Sequence, residues 1–280
     1  MNRLIALVPI LVPILVTAGC ATTGGGAPSP PALEYHVPAQ AEVTYRVTGV
    51  VTQEMDMMGN TQSMGGETEM TLAASFEESL NGVRVTLEVM EASADLAGAG
   101  SVIQADENDV DGPLVFEMTP TGDVSVEATP EVSDAGAEAF QFVGMAHTMF
   151  PHLPGYRIGV GDTWSGVRSY QEDLMGGLLD ATTTSEYVVV RESSVDGESL
   201  LEVAWTGTTS MAVALSVEGM NLDLAIDVNG DGHFLWDVSA GLMVESRSTA
   251  EGLGSMNADM LPQPMPISVY SESHVELVRD

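Results

Sequence analysis

Hydrophobic and polar residues alternate one by one over most of the chain after residue 41. In residues 83–89, valine or leucine occupies every second position, and residues 220–228 repeat this pattern. Because neighbouring side chains of a strand point to opposite faces of a sheet, a period of two is typical of half-buried strands. Shorter stretches of the same kind predict strands at residues 43–52, 69–76, 114–126, 187–190, 200–205, 211–217, 234–244 and 267–277. We expect a mainly β fold with a curved antiparallel sheet, either a half-barrel or a two-lobed β-sandwich.

One segment, residues 132–149, follows a helical period instead. Its apolar side chains recur at intervals of three and four residues, with Pro130 before the segment and Pro151 after it. Ser133 and Asp134 suit a helix N-terminus, where a hydroxyl caps free backbone N–H groups and a carboxylate meets the positive end of the helix dipole. The pattern predicts one amphipathic helix in the centre of the chain.

Two hairpin-like segments, residues 112–124 and 232–243, resemble each other weakly on either side of this helix. One interpretation is a duplication, with two similar halves at 41–130 and 155–280 joined by the helix at 132–149. The other is the ordinary similarity of β-hairpins. Both remain open from the sequence.

The first residues have the organisation of a secretory signal peptide. Arg3 precedes an apolar run at residues 4–16, which is shorter than the roughly 18–20 residues that a membrane-spanning helix needs. Ala18 and Gly19 then precede Cys20, the only cysteine. This order resembles the lipobox of bacterial lipoproteins, which signal peptidase II cleaves. The resemblance implies a signal peptide at 1–19, diacylglycerol and a palmitate-type acyl chain on Cys20, and, with Ala21 following, sorting to the outer membrane.

Residues 20–40 are predicted to form a lipidated tether in front of a folded domain at 41–280. Three consecutive glycines and three prolines in residues 21–33 favour neither helix nor sheet. The tether would hold the domain away from the bilayer.

The net charge of the chain limits the classes of molecule that it can bind. Its 280 residues carry 41 acidic side chains against eight arginines and no lysine, a formal net charge of −33. Such an acidic protein repels phosphate backbones, so we expect no nucleic-acid partner. With one cysteine the chain forms no intramolecular disulfide.

A calcium site is the first metal hypothesis. Asp227, Asn229, Asp231 and Gly232 match the start of an EF-hand loop, but its twelfth position is Val238 in place of the bidentate glutamate. Asn-Gly and Asp-Gly are also strong hairpin-turn dipeptides, so we expect a turn over residues 229–232.

A copper site is the second metal hypothesis. Met145, His147, Met149 and His152 crowd the end of the predicted helix, and thioethers with imidazoles suit Cu(I). A further methionine group in the first predicted hairpin consists of Met55, Met57, Met58, Met64 and Met70. Flexible methionines equally suit an adaptable apolar groove or cavity. We expect no cofactor, and because no nucleophile motif accompanies the histidines, no catalysis.

After the predicted helix, proline-rich residues 150–154 lead into Val160-Gly161-Asp162-Thr163-Trp164. This segment looks like one that recurs in bacterial envelope lipoproteins with β-rich, carrier-like folds. The resemblance implies a half-barrel similar to the lipoprotein carriers (LolA/LolB-like), whose sheet curves around an apolar cavity. From the residues themselves, Gly161 and Asp162 predict a tight turn, and Trp164 is expected to pack at the end of the sheet.

The leading hypothesis is a lipid-anchored protein of the cell envelope, on the periplasmic side of the outer membrane, that binds a lipid or another apolar ligand. Its ligand-lining residues are predicted on inward-facing strand positions: Leu87, Val89, Met220, Leu222, Leu224, Phe234 and Trp236. The alternative is an assembly lipoprotein that docks another envelope protein through a sheet edge or the methionine-rich hairpin. Binding of copper or calcium comes third.

Overall fold

The computed structural model describes residues 32–57, 60–98, 101–174, 177–195, 198–217, 220–258 and 263–279. The predicted signal peptide, Cys20 and the first part of the predicted tether, through residue 31, lie outside the described residues.

Strands make up most of the described chain, and two short helices interrupt them. The strands are β1 (Glu42–Met57), β2 (Asn60–Glu78), β3 (Val83–Gly98), β4 (Ser101–Asp106), β5 (Val110–Asp111), β6 (Leu114–Met118), β7 (Val124–Ala128), β8 (Glu131–Val132), β9 (Thr163–Leu174), β10 (Gly177–Val195), β11 (Glu198–Val217), β12 (Met220–Asp237), β13 (Leu242–Ala258) and β14 (Met265–Val278). The α-helices are α1 (Asp134–Ala139) and α2 (Phe142–Thr148), and Glu107–Asp109 forms a single 3₁₀ turn. None of the described helices has the length and apolar character that crossing a bilayer requires.

Twelve strands form one curved antiparallel sheet, which confirms the predicted fold class. Its order is β7-β6-β3-β2-β1-β14-β13-β12-β11-β10-β9, and β4 pairs with the far half of β3. The first and last long strands, β1 and β14, pair near its centre. The two halves considered from the sequence therefore share a single sheet, and the two-lobed arrangement is wrong.

The turn predicted over residues 229–232 is also wrong. Strand β12 continues through these residues and pairs with β11 on one side and β13 on the other. A Cβ atom on Gly232 would lie 2.8 Å from the indole of Trp205, its partner on β11. The glycine makes room for a neighbouring ring, and pairing on both sides overrides the local turn preference.

The predicted helix forms as two pieces. Ser133 caps the first piece as expected, since its hydroxyl accepts a hydrogen bond from the Gly136 N–H at 3.1 Å. The chain then becomes extended at Phe140, with φ −119° and ψ 127°. Phe140 and Phe142 are both buried. Residues two apart point to nearly opposite sides of a helix, so this break lets both rings reach the core.

The inner face of the sheet holds two hydrophobic clusters. The first lies beneath the helices and contains Tyr45, Phe116, Phe234 and Trp236. The second lies farther along the strands, and Leu224, Ile226 and Val228 of β12 belong to it. The residues between these last three, such as Asp223 and Asp227, are exposed. The outer face of β12 is therefore polar, as the alternation predicts.

The fold begins earlier than expected, because residues 32–38 pack onto the domain and are not part of a free tether. Leu33 and Tyr35 are buried. The Leu33 N–H donates to the Tyr156 carbonyl at 3.1 Å, and the Tyr35 hydroxyl donates to the Pro151 carbonyl at 2.7 Å. Burial of the large side chains of Leu33 and Tyr35 fixes this segment on the domain in spite of the prolines that precede it.

In the described part, β7 and β9 end the sheet without pairing with each other. Residues 149–154, here called the seam segment, bridge the two ends. On one side the Leu153 N–H donates to the Thr121 carbonyl at 2.9 Å, in the β6–β7 loop. On the other side the Trp164 indole N–H donates to the His152 carbonyl at 2.9 Å. Backbone groups of one short segment thus tie both ends of the sheet.

The predicted turn before β9 is confirmed. Gly161 has φ +90°, and the Asp162 N–H donates to the Gly159 carbonyl at 3.0 Å. Trp164 stacks on Tyr187 of β10 with ring centroids 4.9 Å apart. The tryptophan therefore packs at the end of the sheet, as the sequence indicates.

Candidate ligand cavity

A cavity of about 180 Å³ lies between the inner face of the sheet and the segment that contains α2. The sheet contributes residues of β1, β2, β9, β10, β11, β13 and β14, and the helical side contributes residues 139–152 in part. An engineered apolar cavity of roughly 150 Å³ in another protein holds benzene. The space here therefore admits a small apolar group or a segment of a longer chain.

Small side chains on neighbouring strands create this space. A band of glycine, serine and alanine crosses six adjacent strands at paired positions. Its members are Gly166, Ser185, Gly207, Gly230, Ala250 and Ser271. Gly49, Ser248 and Ser273 add further small lining positions near it. Of the band, Gly166 and Ser185 line the cavity, and together with Gly49, Ser248 and Ser273 they leave part of the concave face unfilled beneath α2.

Larger side chains form the walls. Met145 and Met149 come from the helical side, while Met70, Tyr187 and Trp205 come from β2, β10 and β11. Met149 and Tyr187 are buried, and Met145 is half-buried. An apolar ligand would contact the thioethers and aromatic rings of these walls favourably. The serine hydroxyls on the sheet side of the cavity could form hydrogen bonds with it.

Arg168 of β9 connects the sheet to the end of α2. Its Nη1 donates to the His147 carbonyl at 2.8 Å and to the Phe150 carbonyl at 2.6 Å. The last carbonyls of a helix have no partners within the helix and form the negative end of its dipole, so a guanidinium is well placed there. Arg168 therefore holds α2 and the seam segment against β9.

The two histidines at this end of the cavity favour their neutral forms. Burial, together with the charge of Arg168, lowers the pKa of His147 to about 4. The His147 ring stacks on Tyr170, with centroids 4.5 Å apart. Burial and Arg168 also lower the pKa of His152, although Asp123, 3.8 Å from His152 Nδ1, acts in the opposite direction.

Glu172 of β9 is the one acidic side chain among the residues that line the described cavity. It is half-buried, and burial raises its pKa to about 7. Its Oε2 is buried without a hydrogen-bond partner among the described residues. Burial and the nearby Glu172 raise the pKa of Tyr170 to about 12. A carboxyl in such a place is a candidate for a functional group.

Met145, His147, Met149 and His152 all line this cavity. Their role as a group of copper ligands stays a prediction. Within the described ranges, no group of three or more histidine, cysteine or acidic side chains is arranged to hold a metal ion.

The calcium candidates do not form a loop. Asp227, Asn229 and Asp231 lie at alternate positions on the exposed face of β12, spread along an extended strand. Asp227 accepts a hydrogen bond from the Ser210 hydroxyl at 2.6 Å. An extended strand cannot wrap its side chains around one ion as a calcium loop does.

The predicted ligand-lining residues occupy the core instead of this cavity. Leu87, Phe234 and Trp236 are buried in the first cluster, and Val89 packs against it. Leu224 is buried in the second cluster, and Leu222 packs against it. The side chain of Met220 lies outside the described residues. Large inward-facing side chains fill the space beside them, so the open space appears where the inward-facing residues are small.

Sequence reasoning missed Arg168, Tyr170, Glu172 and the serines. Arg168, Tyr170 and Glu172 occupy alternate positions of β9, and this spacing is a signal that they share one face. The spacing does not reveal that this face of β9 points to the inside of the sheet.

In the methionine-rich hairpin, Met55, Met64 and Met70 are buried, so these three do not form an exposed docking surface.

No protein-family model matches the sequence, and no curated protein matches it. Solved structures with some similarity come from Pseudomonas aeruginosa. OccK2 (OpdF) in complex with glucuronate has a TM-score of 0.25 and 7% identity, with 86% of this chain and 100% of that chain covered. OccK8 (OprE) has a TM-score of 0.21 and 8% identity over 86% and 100%. OpdO has a TM-score of 0.21 and 5% identity over 86% and 99%. Scores this low carry no argument about fold or function.

Proposed function

We propose that this protein is a lipid-anchored, non-catalytic binding protein of the cell envelope, and that the cavity beneath α2 holds an amphipathic ligand that is mostly apolar. The observation that carries the proposal is the cavity of about 180 Å³ between two filled hydrophobic clusters. Cores are normally close-packed, so an open space with methionine and aromatic walls and a hydroxyl floor fits a ligand better than it fits structural packing.

The proposed location rests on the sequence. A signal peptide followed directly by Cys20 supports export and lipidation, and Ala21 supports the outer membrane, with the domain facing the periplasm. A diacylglycerol together with a third acyl chain exceeds the two signals that stable membrane anchoring needs. Metabolic labelling with an alkyne-tagged palmitate tests this step. We expect label on the wild-type protein and none on Cys20→Ser, and an unlabelled wild type would contradict the anchor.

The binding proposal is tested with residues 21–280, which keep the whole described fold, exported behind an exchanged signal peptide and purified without detergent. Native mass spectrometry should show a co-purified apolar species, or a complex with an added amphiphile such as octan-1-ol. Ser273 faces the cavity, so Ser273→Phe should fill the space and abolish the complex.

Ser268→Phe is the matched control. Ser268 belongs to the same strand, β14, but lies an odd number of residues from Ser273 and therefore faces the outside. This variant should bind like the wild type. A wild-type protein that binds no amphiphile, or equal binding by both variants, would refute the cavity as a ligand site.

A further inference from the structure

The lining of the cavity contains only two side chains with full charges in the described residues, Arg168 and Glu172. They belong to the same inward-facing set of β9, four residues apart. At roughly 3.3 Å per residue, their Cα atoms lie about 13 Å apart along the strand. The two charges therefore do not form a pair, and each must find its partner elsewhere.

Arg168 has partners within the protein. Its Nη1 serves the carbonyls of His147 and Phe150 at the end of α2. Its other terminal nitrogen, Nη2, lies next to the β6–β7 loop, since a Cβ on Gly122 would lie 2.6 Å from it. Its Nε and Nη2 are buried without a hydrogen-bond partner among the described residues. The two carbonyls on Nη1 nevertheless hold the guanidinium at the seam segment, away from Glu172.

Glu172 has no such partner in the described part of the chain. Its Oε2 is buried without a hydrogen bond, and burial alone accounts for the raised pKa of the carboxyl. An isolated carboxylate that is removed from water is costly unless a cation or hydrogen-bond donors meet it. The partner missing at this end of the cavity is a cationic group.

We infer that the ligand of this cavity is an amphiphilic amine, whose ammonium group pairs with Glu172 and whose apolar part lies against the methionine and aromatic walls. This inference rests on the proposed function and names the class of its ligand. When the ligand binds, Glu172 is ionised and the pair forms at a site with little access to water, where the attraction is stronger than at the surface. The net charge of −33 also concentrates cations around the molecule and repels fatty acids.

The test uses octylamine, octan-1-ol and octanoate, which share one apolar chain and differ in the head group. Isothermal titration calorimetry on residues 21–280 at pH 7.5 and 0.15 M salt should give an affinity for octylamine at least tenfold higher than for octan-1-ol. Octanoate should bind most weakly. If none of the three binds, the proposed function fails. If octan-1-ol or octanoate binds as well as octylamine, the cavity binds amphiphiles but the inference about the amine is wrong.

Two variants separate the local pair from the general effect of charge. Glu172→Gln should lose at least tenfold in affinity for octylamine and keep its affinity for octan-1-ol, which also shows that the variant is folded. Glu54→Gln removes an exposed acid from β1 and changes the net charge equally, so it should bind octylamine like the wild type. An amine preference that survives in Glu172→Gln would overturn the inference.

An ammonium group also occurs in phospholipid head groups, next to a phosphate. Because two carbonyls hold Arg168 Nη1 at the seam segment and its Nε and Nη2 are buried, we expect a free amine to be the ligand and lysophosphatidylethanolamine not to displace octylamine. Displacement that requires Glu172 would identify the lipid head group as the source of the same ammonium. Displacement that persists in Glu172→Gln would contradict the pairing.

Discussion

Arg168 connects β9 to α2 and to the seam segment through its side-chain hydrogen bonds. Replacing it with methionine keeps much of the side-chain volume and removes both hydrogen bonds to carbonyls. Hydrogen bonds that involve a charged group contribute about 1.5–3 kcal/mol each, but the substitution also removes Nε and Nη2, which are buried without partners in the described residues. We therefore expect Arg168→Met to lower the free energy of unfolding by about 2–3 kcal/mol. Urea denaturation of the variant and the wild type measures this difference in the free energy of unfolding.

Arg191→Met is the control for this variant. Arg191 pairs with Glu202 but is 69% exposed, and exposed ion pairs contribute at most about 1 kcal/mol. Its loss should change the stability by less than about 1 kcal/mol. Equal effects of the two substitutions would show that Arg168 has no special role at the seam.

Glu172 gives the stability a defined dependence on pH. Its pKa is about 7 in the folded protein against an ordinary value of 4.5, so between these two pH values the unfolded chain ionises first and stability falls as pH rises. Glu172→Gln cannot ionise. The variant should match the wild type below pH 4.5, gain an advantage from pH 4.5 to 7, and keep it above pH 7. Urea denaturation at pH 4, 6 and 8 measures this difference, and a wild type more stable than the variant at pH 8 would contradict it.

At the level of elements, the N-terminal segment of residues 32–38 acts as a wedge over the first core cluster. The Tyr35 ring meets the rings of Trp236 and Phe150 edge to face, with centroids 5.2 and 6.1 Å apart. Removal of a large buried aromatic side chain costs about 3–5 kcal/mol. We expect Tyr35→Ala to lose stability by this amount in thermal unfolding, whereas Tyr156→Ala, at a tyrosine that is 53% exposed, should lose little. Comparable losses in the two variants would mean that residues 32–38 do not stabilise the fold.

At the level of the whole molecule, the net charge of −33 opposes compaction. Negative side chains occupy the outer face of the sheet, where salt screens their repulsion over roughly 10 Å at 0.1 M. We expect the thermal midpoint to rise when sodium chloride increases from 10 mM to 0.5 M. Each kcal/mol gained should raise the midpoint of a domain of this size by about 2–4 °C. A midpoint that is independent of salt would show that the carboxylates are too far apart to repel one another.

Features that depend on near neighbours in the chain were predictable. Alternation over residues 83–89 and 220–228 identified strands with one buried face, because the side-chain period of a strand is a local property. Ser133 marked the start of the helical segment, and Gly161 with Asp162 marked the turn before β9, because caps and turns form within a few residues. The break at Phe140 was not predictable, since it depends on a core that other strands supply.

The sequence by itself thus determined the class of the fold, the strands with clear alternation such as those at 83–89 and 220–228, and the acidic character of the protein. The tertiary structure alone decided the rest. Gly230 and Ser185 are far apart in the chain, and only the pairing of β10, β11 and β12 places them in one band of small residues. The same pairing turned a predicted turn into the middle of a strand and assigned Leu224 and Trp236 to the core. A cavity is a space between distant parts of a chain, so its position follows from long-range register, which local patterns do not contain.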